Sequence, residues 1–288
     1  MRSVRSGFTF VELTVVAATI IIFMTLMLPG LTRMREAARR VHCRNNLCQI
    51  AVALHNYHDA HRVLPPGCVN ETGPVTLGVV TDNHFGWIVQ ILPQLDEGNC
   101  WEQFDFTRTS YQQAPTTVKS PAILHCPSSP MQILSYAGCH HDAHGPIDVD
   151  NNGVLFLISS IRLQDITDGK AYTLMVGETL PPVLGGTWYQ GGAAALRHSG
   201  TSWDSIDDAA MRAYYHSASI KDELDPKSPE AQIVSGFPLN FGSVHSDGTH
   251  FALADGTVRF VPLHANVSLL RRLGNRHDGE VIEEFEFP

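Results

Sequence analysis

The chain has 288 residues, of which 43% are hydrophobic and 17% are charged, so its composition is neither that of a disordered chain nor that of a fibrous protein. Its formal net charge is −9. Residues 1–62 carry eight Lys/Arg and three Asp/Glu, whereas residues 63–288 carry twelve and twenty-six. Because an acidic globular part repels phosphate backbones, the composition predicts no nucleic-acid partner.

The N-terminal segment combines a long apolar run with one carboxylate. It reads SGFTFVELTVVAATIIIFMTLMLPG at residues 6–30. Twenty helical residues cover about 30 Å, the thickness of a bilayer core, so the run predicts a transmembrane segment at 8–32. The sequence LMLPGLTRMREAARR that ends the run is a poor secretory cleavage site. A plain signal anchor, with Glu12 snorkelling to the interface, remains an alternative.

Glu12 needs an explanation, because a carboxylate at the centre of a membrane helix costs roughly 2.5–3.5 kcal/mol and usually marks function. The string GFTFVELTVV, behind a short basic leader, resembles the type IV prepilin signature. The resemblance implies that a prepilin peptidase cleaves after Gly7 and that the new amine of Phe8 is methylated. It also implies that Glu12 neutralises that amine during assembly.

The same signature predicts where the protein and its head lie in the cell. It implies the bacterial inner membrane, with the head outside the cytoplasm, and possible display at the cell surface in a filament. Five arginines follow the apolar run against two in the leader, which by the positive-inside rule would place the head in the cytoplasm. We give the specific signature precedence over that count.

The predicted fold class is α+β, with a long N-terminal helix packed on a head that contains an antiparallel sheet, as in pilins. Residues 1–7 form the leader, 8–62 the helix and 63–288 the head, with a polar surface insertion near 198–232. An apolar stripe with helical spacing at Leu47, Ile50, Leu54 and Tyr57 supports the helix. Strands are expected at GWIVQIL, GVLFLI, TLMVGE, THFALA and TVRFVPL.

Near the C-terminus stands FGSVHSDGTHFALADGTVRFV, in which His245 is followed by nine residues and then by Asp255-Gly256. With segments such as ALHNYHDAHRVLPPG and LHCPSSP, this motif resembles a large bacterial family of pilin-like proteins of unknown function. Asp-Gly between alternating apolar residues also predicts a tight hairpin turn, because glycine adopts positive φ. We therefore interpret the motif as structural.

The sequence patterns for metal binding and catalysis are weaker than the prepilin-like signature. The sequence contains none of the common hydrolase, zincin or nucleotide-binding motifs, so no enzyme activity and no cofactor are predicted. The CHHDAH segment at 139–144 is dense in ligand-type residues but fits no standard spacing. DVDNNG offers Asp148, Asp150 and Asn152 as candidate calcium ligands, although the acid that would close such a loop is missing.

Six cysteines occur, with no C-x-x-C pair. If the head faces an oxidising space, Cys126 and Cys139 are the first candidate disulfide and Cys68 with Cys100 the second. Such a bond would contribute roughly 3 kcal/mol.

These signals predict a pilin-like or pseudopilin-like structural subunit that assembles through its N-terminal helix into a filament or a type II secretion-like pseudopilus. The expected partners are a prepilin peptidase, other pilin-like subunits and the inner membrane. A membrane-anchored surface protein whose head binds a ligand or a cation is the alternative. A cation-dependent hydrolase is a third possibility, without a catalytic constellation behind it.

Overall fold

The computed structural model describes residues 9–75, 85–113, 118–129, 134–180, 187–201, 240–245, 247–262, 265–280 and 282, without the side chains of 26–30, 32–33 and 193. Contacts divide the chain into two units, 1–42 and 43–288. Most of the predicted insertion at 198–232 lies outside the described residues, and so do Gly7 and Phe8 of the processing signal.

One long helix, α1, spans Phe10–His61 and belongs partly to each unit. It starts on a capping box. The Glu12 carboxylate accepts hydrogen bonds from the backbone N–H and the hydroxyl of Thr9 (2.8 and 2.9 Å), and Thr9 Oγ1 accepts from Glu12 N. The helix ends where Arg62 adopts φ +66°, shortly before two consecutive prolines.

Within the described part of the chain, no helix is both long and apolar enough to cross a bilayer. The transmembrane segment predicted at 8–32 is therefore not confirmed.

The described residues of the head form a two-stranded and a five-stranded sheet. Strands β1 (Cys68–Val69) and β2 (Phe85–Gly86) pair antiparallel, and short helices α2 (Trp87–Ile91) and α3 (Gly98–Trp101) follow. The larger sheet contains β3 (Tyr136–His141), β4 (Leu174–Glu178), β5 (Leu196–His198), β6 (Gly248–Leu253) and β7 (Val258–Pro262) in the order β5-β3-β4-β6-β7, and helix α4 spans Val267–Gly274.

Three details of the predicted sheet are wrong. The larger sheet is mixed rather than antiparallel throughout, because β3 and β5 run parallel. The predicted strand GVLFLI at 153–158 is not a strand, and of its residues only Leu157 forms an isolated bridge, with Cys68. The predicted strand GWIVQIL is mainly α2, whose apolar side chains are buried. A short run of buried apolar residues has no periodicity that separates a strand from a helix, which explains the error.

The larger sheet separates two apolar clusters of the head. The first contains Leu47, Ile50 and Leu54 of α1, all fully buried, so the predicted apolar stripe is confirmed there. The second contains Cys139 of β3 and residues of α4. Tyr136 belongs to the first cluster and Ala137 to the second, as expected for successive side chains of a strand.

The turn between β6 and β7 is built on Asp255 and Gly256. Asp255 Oδ1 accepts hydrogen bonds from the N–H and the hydroxyl of Thr257 (2.8 and 2.7 Å), and Gly256 adopts φ +86°. A Cβ at Gly256 would lie 3.4 Å from His55 Nε2, at ordinary contact distance, so the constraint is the backbone conformation. The turn thus depends on the backbone freedom of glycine.

We expect Gly256→Val to lower the free energy of unfolding by about 2 kcal/mol, because a β-branched residue at positive φ is strained. Asp255→Asn should have little effect, since its amide oxygen can still accept from Thr257. Urea unfolding of the purified protein measures both. Gly98→Val is the control, because a Cβ at Gly98 would meet nothing within 4 Å. Equal losses for the Gly256 and Gly98 variants would contradict the role of the turn.

Candidate functional site

A cluster of thiols and imidazole lies inside the head. Cys43 Sγ is 2.9 Å from Cys126 Sγ, and Cys126 Sγ is 3.6 Å from His245 Nε2. One ligand-type atom from each of the three residues lies within 4.8 Å of the others, and all three residues are buried. Among the described residues, this is the one group of three or more His, Cys, Asp or Glu side chains close enough to share a metal ion.

Three separate elements bring these side chains together. Cys43 lies one helical turn before Leu47, on the face of α1 that packs into the head. Cys126 follows a short 3₁₀ turn at Ala122–Leu124, and its N–H donates to Ser135 Oγ at 3.0 Å. His245 lies three residues before β6 begins at Gly248, and its N–H donates to Ser243 Oγ at 3.2 Å. The cluster therefore exists only in the folded head.

A buried carboxylate adjoins the cluster. Glu178, the last residue of β4, has a side chain that is 3% exposed, and its Oε1 lies 3.8 Å from His245 Nε2. The backbone N–H of His250 donates to Glu178 Oε2 at 3.0 Å, and His250 Nδ1 lies 3.2 Å from Oε1. Because a buried charge must be compensated, Glu178 requires these partners.

The two thiols differ in acidity. The neighbouring thiol of Cys43 lowers the pKa of Cys126 to about 5; burial acts in the opposite direction, and His245 assists the lowering. The pKa of Cys43 is raised, first by its hydrogen bond to Cys126 and then by burial. The hydrogen bond between the two sulfurs therefore favours the charged form of Cys126 over that of Cys43.

The structure contains no disulfide among the six cysteines, and the pairs Cys126–Cys139 and Cys68–Cys100 stay predictions. Cys126 has Cys43 as its neighbour, whereas Cys139 contacts the carbonyl oxygens of His141 and Gly274 in the second apolar cluster. Cys126 and Cys139 thus have separate surroundings. Cys100 contacts the carbonyl of Lys119, and burial raises the pKa of Cys68 to about 12 and that of Cys100 to about 11.

The histidine side chains of the segment at 139–144 have separate partners and do not meet at one point. His140 is fully buried and its Nδ1 lies 2.9 Å from Asn151 Oδ1, while His141 Nδ1 lies 2.7 Å from Asp142 Oδ1. Burial lowers the pKa of His140 to about 4. Burial, together with nearby His140, His144 and Arg197, lowers the pKa of His198 in the adjacent strand β5 to about 3.

The DVDNNG segment has the contacts of a turn. Asp148 Oδ1 accepts from Val149 N at 2.8 Å, and Asn152 Oδ1 accepts from Asp142 N at 3.0 Å. Asp150 is exposed. These hydrogen bonds engage two of the three predicted calcium ligands, and calcium binding here stays a prediction.

The structure separates the residues of the C-terminal motif. Asp255 and Gly256 form the β6–β7 turn, whereas His245 lies in the thiol cluster. Sequence reasoning singled out His245 as part of a structural motif and did not predict the roles of Cys43 and Glu178. Of these, Glu178 carried a signal, since an acidic residue ends the apolar run TLMVGE. The capping role of Glu12 could also have been predicted from the sequence, because Thr9 and Glu12 have the spacing of a capping box.

Fold and site together define an α+β protein with a long N-terminal helix and a buried thiol, imidazole and carboxylate cluster in its head. The chain belongs to the SBP_bac_10 family, described as a protein of unknown function (DUF1559), whose model matches residues 32–266. The match includes every residue of the cluster and begins after the prepilin-like signal. No curated protein and no solved structure shows significant similarity to the chain.

Proposed function

We propose that this protein is a pilin-like or pseudopilin-like structural subunit, processed after Gly7 and assembled through α1 into a filament or a type II secretion-like pseudopilus. The observation that carries the proposal is the position of the prepilin-like signal, directly before a continuous helix whose first turns expose apolar side chains. The proposal involves structural partners and assigns no catalytic role to the chain.

The uncovered apolar surface supports this proposal. Phe10 is 80% exposed and Met24 is 63% exposed, and large apolar side chains between them are exposed as well: Val11, Leu13, Val15, Val16, Ile20, Ile21, Ile22 and Phe23. A contiguous apolar surface of this kind marks an interaction site. We assign it to the N-terminal helices of neighbouring subunits, which carry the same surface and can cover it by bundling.

The partners and the location follow from the same signal. A prepilin peptidase would act on the chain at the bacterial inner membrane, and other pilin-like subunits would then join it, with the head outside the cytoplasm. The negative charge of residues 63–288 fits a role without nucleic acid.

The decisive measurement is the N-terminal residue of the protein recovered from its own host. We expect Phe8, carrying one methyl group on its amine, because the peptidase is proposed to cut after Gly7. Mass spectrometry of the N-terminal peptide gives the answer. Recovery of intact Met1, or of a terminus beyond residue 12, would contradict the processing on which this proposal depends.

A second candidate is an anchored surface protein whose head binds a ligand or a cation. The buried cluster of Cys43, Cys126 and His245 favours it, because such a cluster is a ligand set rather than an apolar core. Electron microscopy of the expressed protein separates the two functions. Processed protein that never forms filaments would favour the second.

A further inference from the structure

The buried cluster of the head has the composition of a metal site. We propose that Cys43, Cys126 and His245 bind a divalent transition metal ion of the zinc class, with Glu178 as the fourth ligand. Thiolate, imidazole and carboxylate are the ligands that zinc takes in proteins, and four of them form its tetrahedral structural sites. The proposal does not depend on filament assembly.

The distances fit such a site after a small movement. With zinc–sulfur and zinc–nitrogen bonds of about 2.3 and 2.0–2.1 Å, a tetrahedral site separates sulfur from nitrogen by about 3.6 Å and two sulfurs by about 3.8 Å. Cys126 Sγ and His245 Nε2 are already 3.6 Å apart. The two sulfurs, at 2.9 Å, would separate by about 0.9 Å on binding.

Glu178 lies beside this group as the proposed fourth ligand. The group whose ligand atoms lie within 4.8 Å of one another does not include Glu178, so its carboxylate would move towards the sulfurs on binding. Glu178 Oε1 lies 3.8 Å from His245 Nε2, close to the separation of about 3.4 Å between nitrogen and oxygen ligands of one zinc ion. His250 contacts both carboxylate oxygens and fixes the orientation of Glu178. Hydrogen bonds of this kind from outside the ligand set are characteristic of protein metal sites.

The charge and the burial of the cluster also favour a metal site. His245 and Glu178 have side chains that are 0% and 3% exposed, so a carboxylate and an imidazole lie beside two buried sulfurs. A divalent cation compensates the charge of two thiolates and makes the burial of the carboxylate less costly. A disulfide between Cys43 and Cys126, the rival interpretation, would use both sulfurs and leave His245 and Glu178 without a ligand role.

The test uses the full-length protein, reduced and freed of metal, and titrates it with Zn²⁺ or Co²⁺ alone. We expect about one ion per chain, and for Co²⁺ a thiolate-to-metal charge-transfer band with the intense visible absorption of a tetrahedral site. Cys126→Ser and His245→Gln should weaken binding at least 100-fold, and Glu178→Gln roughly 10- to 100-fold. Cys48→Ser on the same helix should bind as the wild type does.

Failure of a variant to fold does not obscure the result, because the cobalt spectrum of the reduced wild type is measured on its own. Absence of the charge-transfer band from folded, reduced wild-type protein would overturn the proposal. A Cys43–Cys126 disulfide in protein recovered from its native compartment, shown by peptide mass mapping without reductant, would also overturn it. A bound metal with both thiols unalkylated until a chelator is added would support it.

Discussion

Glu12→Ala is expected to leave cleavage after Gly7 intact and the head folded, yet to block or greatly reduce incorporation into filaments. In an assembled bundle, the carboxylate of Glu12 would face the positively charged amine of Phe8, on a neighbouring subunit or on its own chain. A lone carboxylate in an apolar environment is costly, and a cation in the same environment offsets much of that cost. One ion pair could therefore set the axial register of each added subunit.

The capping box offers a competing explanation, because Glu12 also stabilises the first turn of α1 through Thr9. Glu12→Gln separates the two roles. Glutamine retains the cap and removes the charge, so we expect it to fail in assembly as Glu12→Ala does. Thr9→Ala weakens the cap by about 1 kcal/mol but keeps the charge, and it should still assemble.

Filaments are counted by electron microscopy of sheared fractions, and cleavage is followed by N-terminal mass spectrometry. Gly7→Val, which should leave the leader attached, is the control for a defect in processing. Assembly of Glu12→Gln at wild-type levels would show that the cap, and not the charge, is what assembly requires. If the Glu12→Ala variant assembled as well as the wild type, neither the cap nor the charge of Glu12 would be required for assembly.

Acid should destabilise the head strongly. His140 and His198 are buried, and their pKa values of about 4 and 3 lie below the ordinary 6.5. Below pH 6.5 the unfolded chain therefore binds protons that the folded head does not. Their stabilising effect is fully present above pH 6.5 and is lost as the pH falls towards the folded-state values. Each histidine would contribute a loss of roughly 3 kcal/mol between pH 6.5 and 4.

A loss of this size is a large part of the total stability of a typical domain, about 5–15 kcal/mol. Urea unfolding at pH 7.5, 6, 5 and 4.5 measures it. Replacing both residues by glutamine should flatten the dependence on pH even if the variant is less stable at pH 7.5. The exposed His61 provides a control substitution, His61→Gln. An unchanged slope in the double variant would contradict the assignment.

The parts of the fold that were predictable are those that local patterns specify. Helical spacing at Leu47, Ile50 and Leu54 gave both the helix and the face it buries. The alternating residues around Asp255-Gly256 gave two strands and the turn between them. In each case the residues that determine the structure are close neighbours in sequence, so period and turn chemistry are sufficient.

The cluster was not predictable in the same way. Its residues come from four distant parts of the chain: Cys43, Cys126, Glu178 and His245. No local pattern in the sequence predicts that their side chains lie together. The predicted Cys126–Cys139 disulfide, which stays a prediction, rested on closeness in sequence. Cys126 and Cys139 are close along the chain, but the alternation of β3 places Cys139 in the second apolar cluster, while Cys126 lies beside Cys43.

The strand order has a consequence for how the head is made. Strand β4 pairs with β3 on one side and with β6 on the other, and β6 begins only at Gly248. Until a ribosome has delivered Gly248–Leu253, β4 keeps one edge unpaired and Glu178 lacks its contacts with His250. Pairing across such distances is slow and leaves an aggregation-prone edge exposed. A chain released before residue 245 would therefore be a substrate for chaperones and proteases, and it would lack His245 altogether.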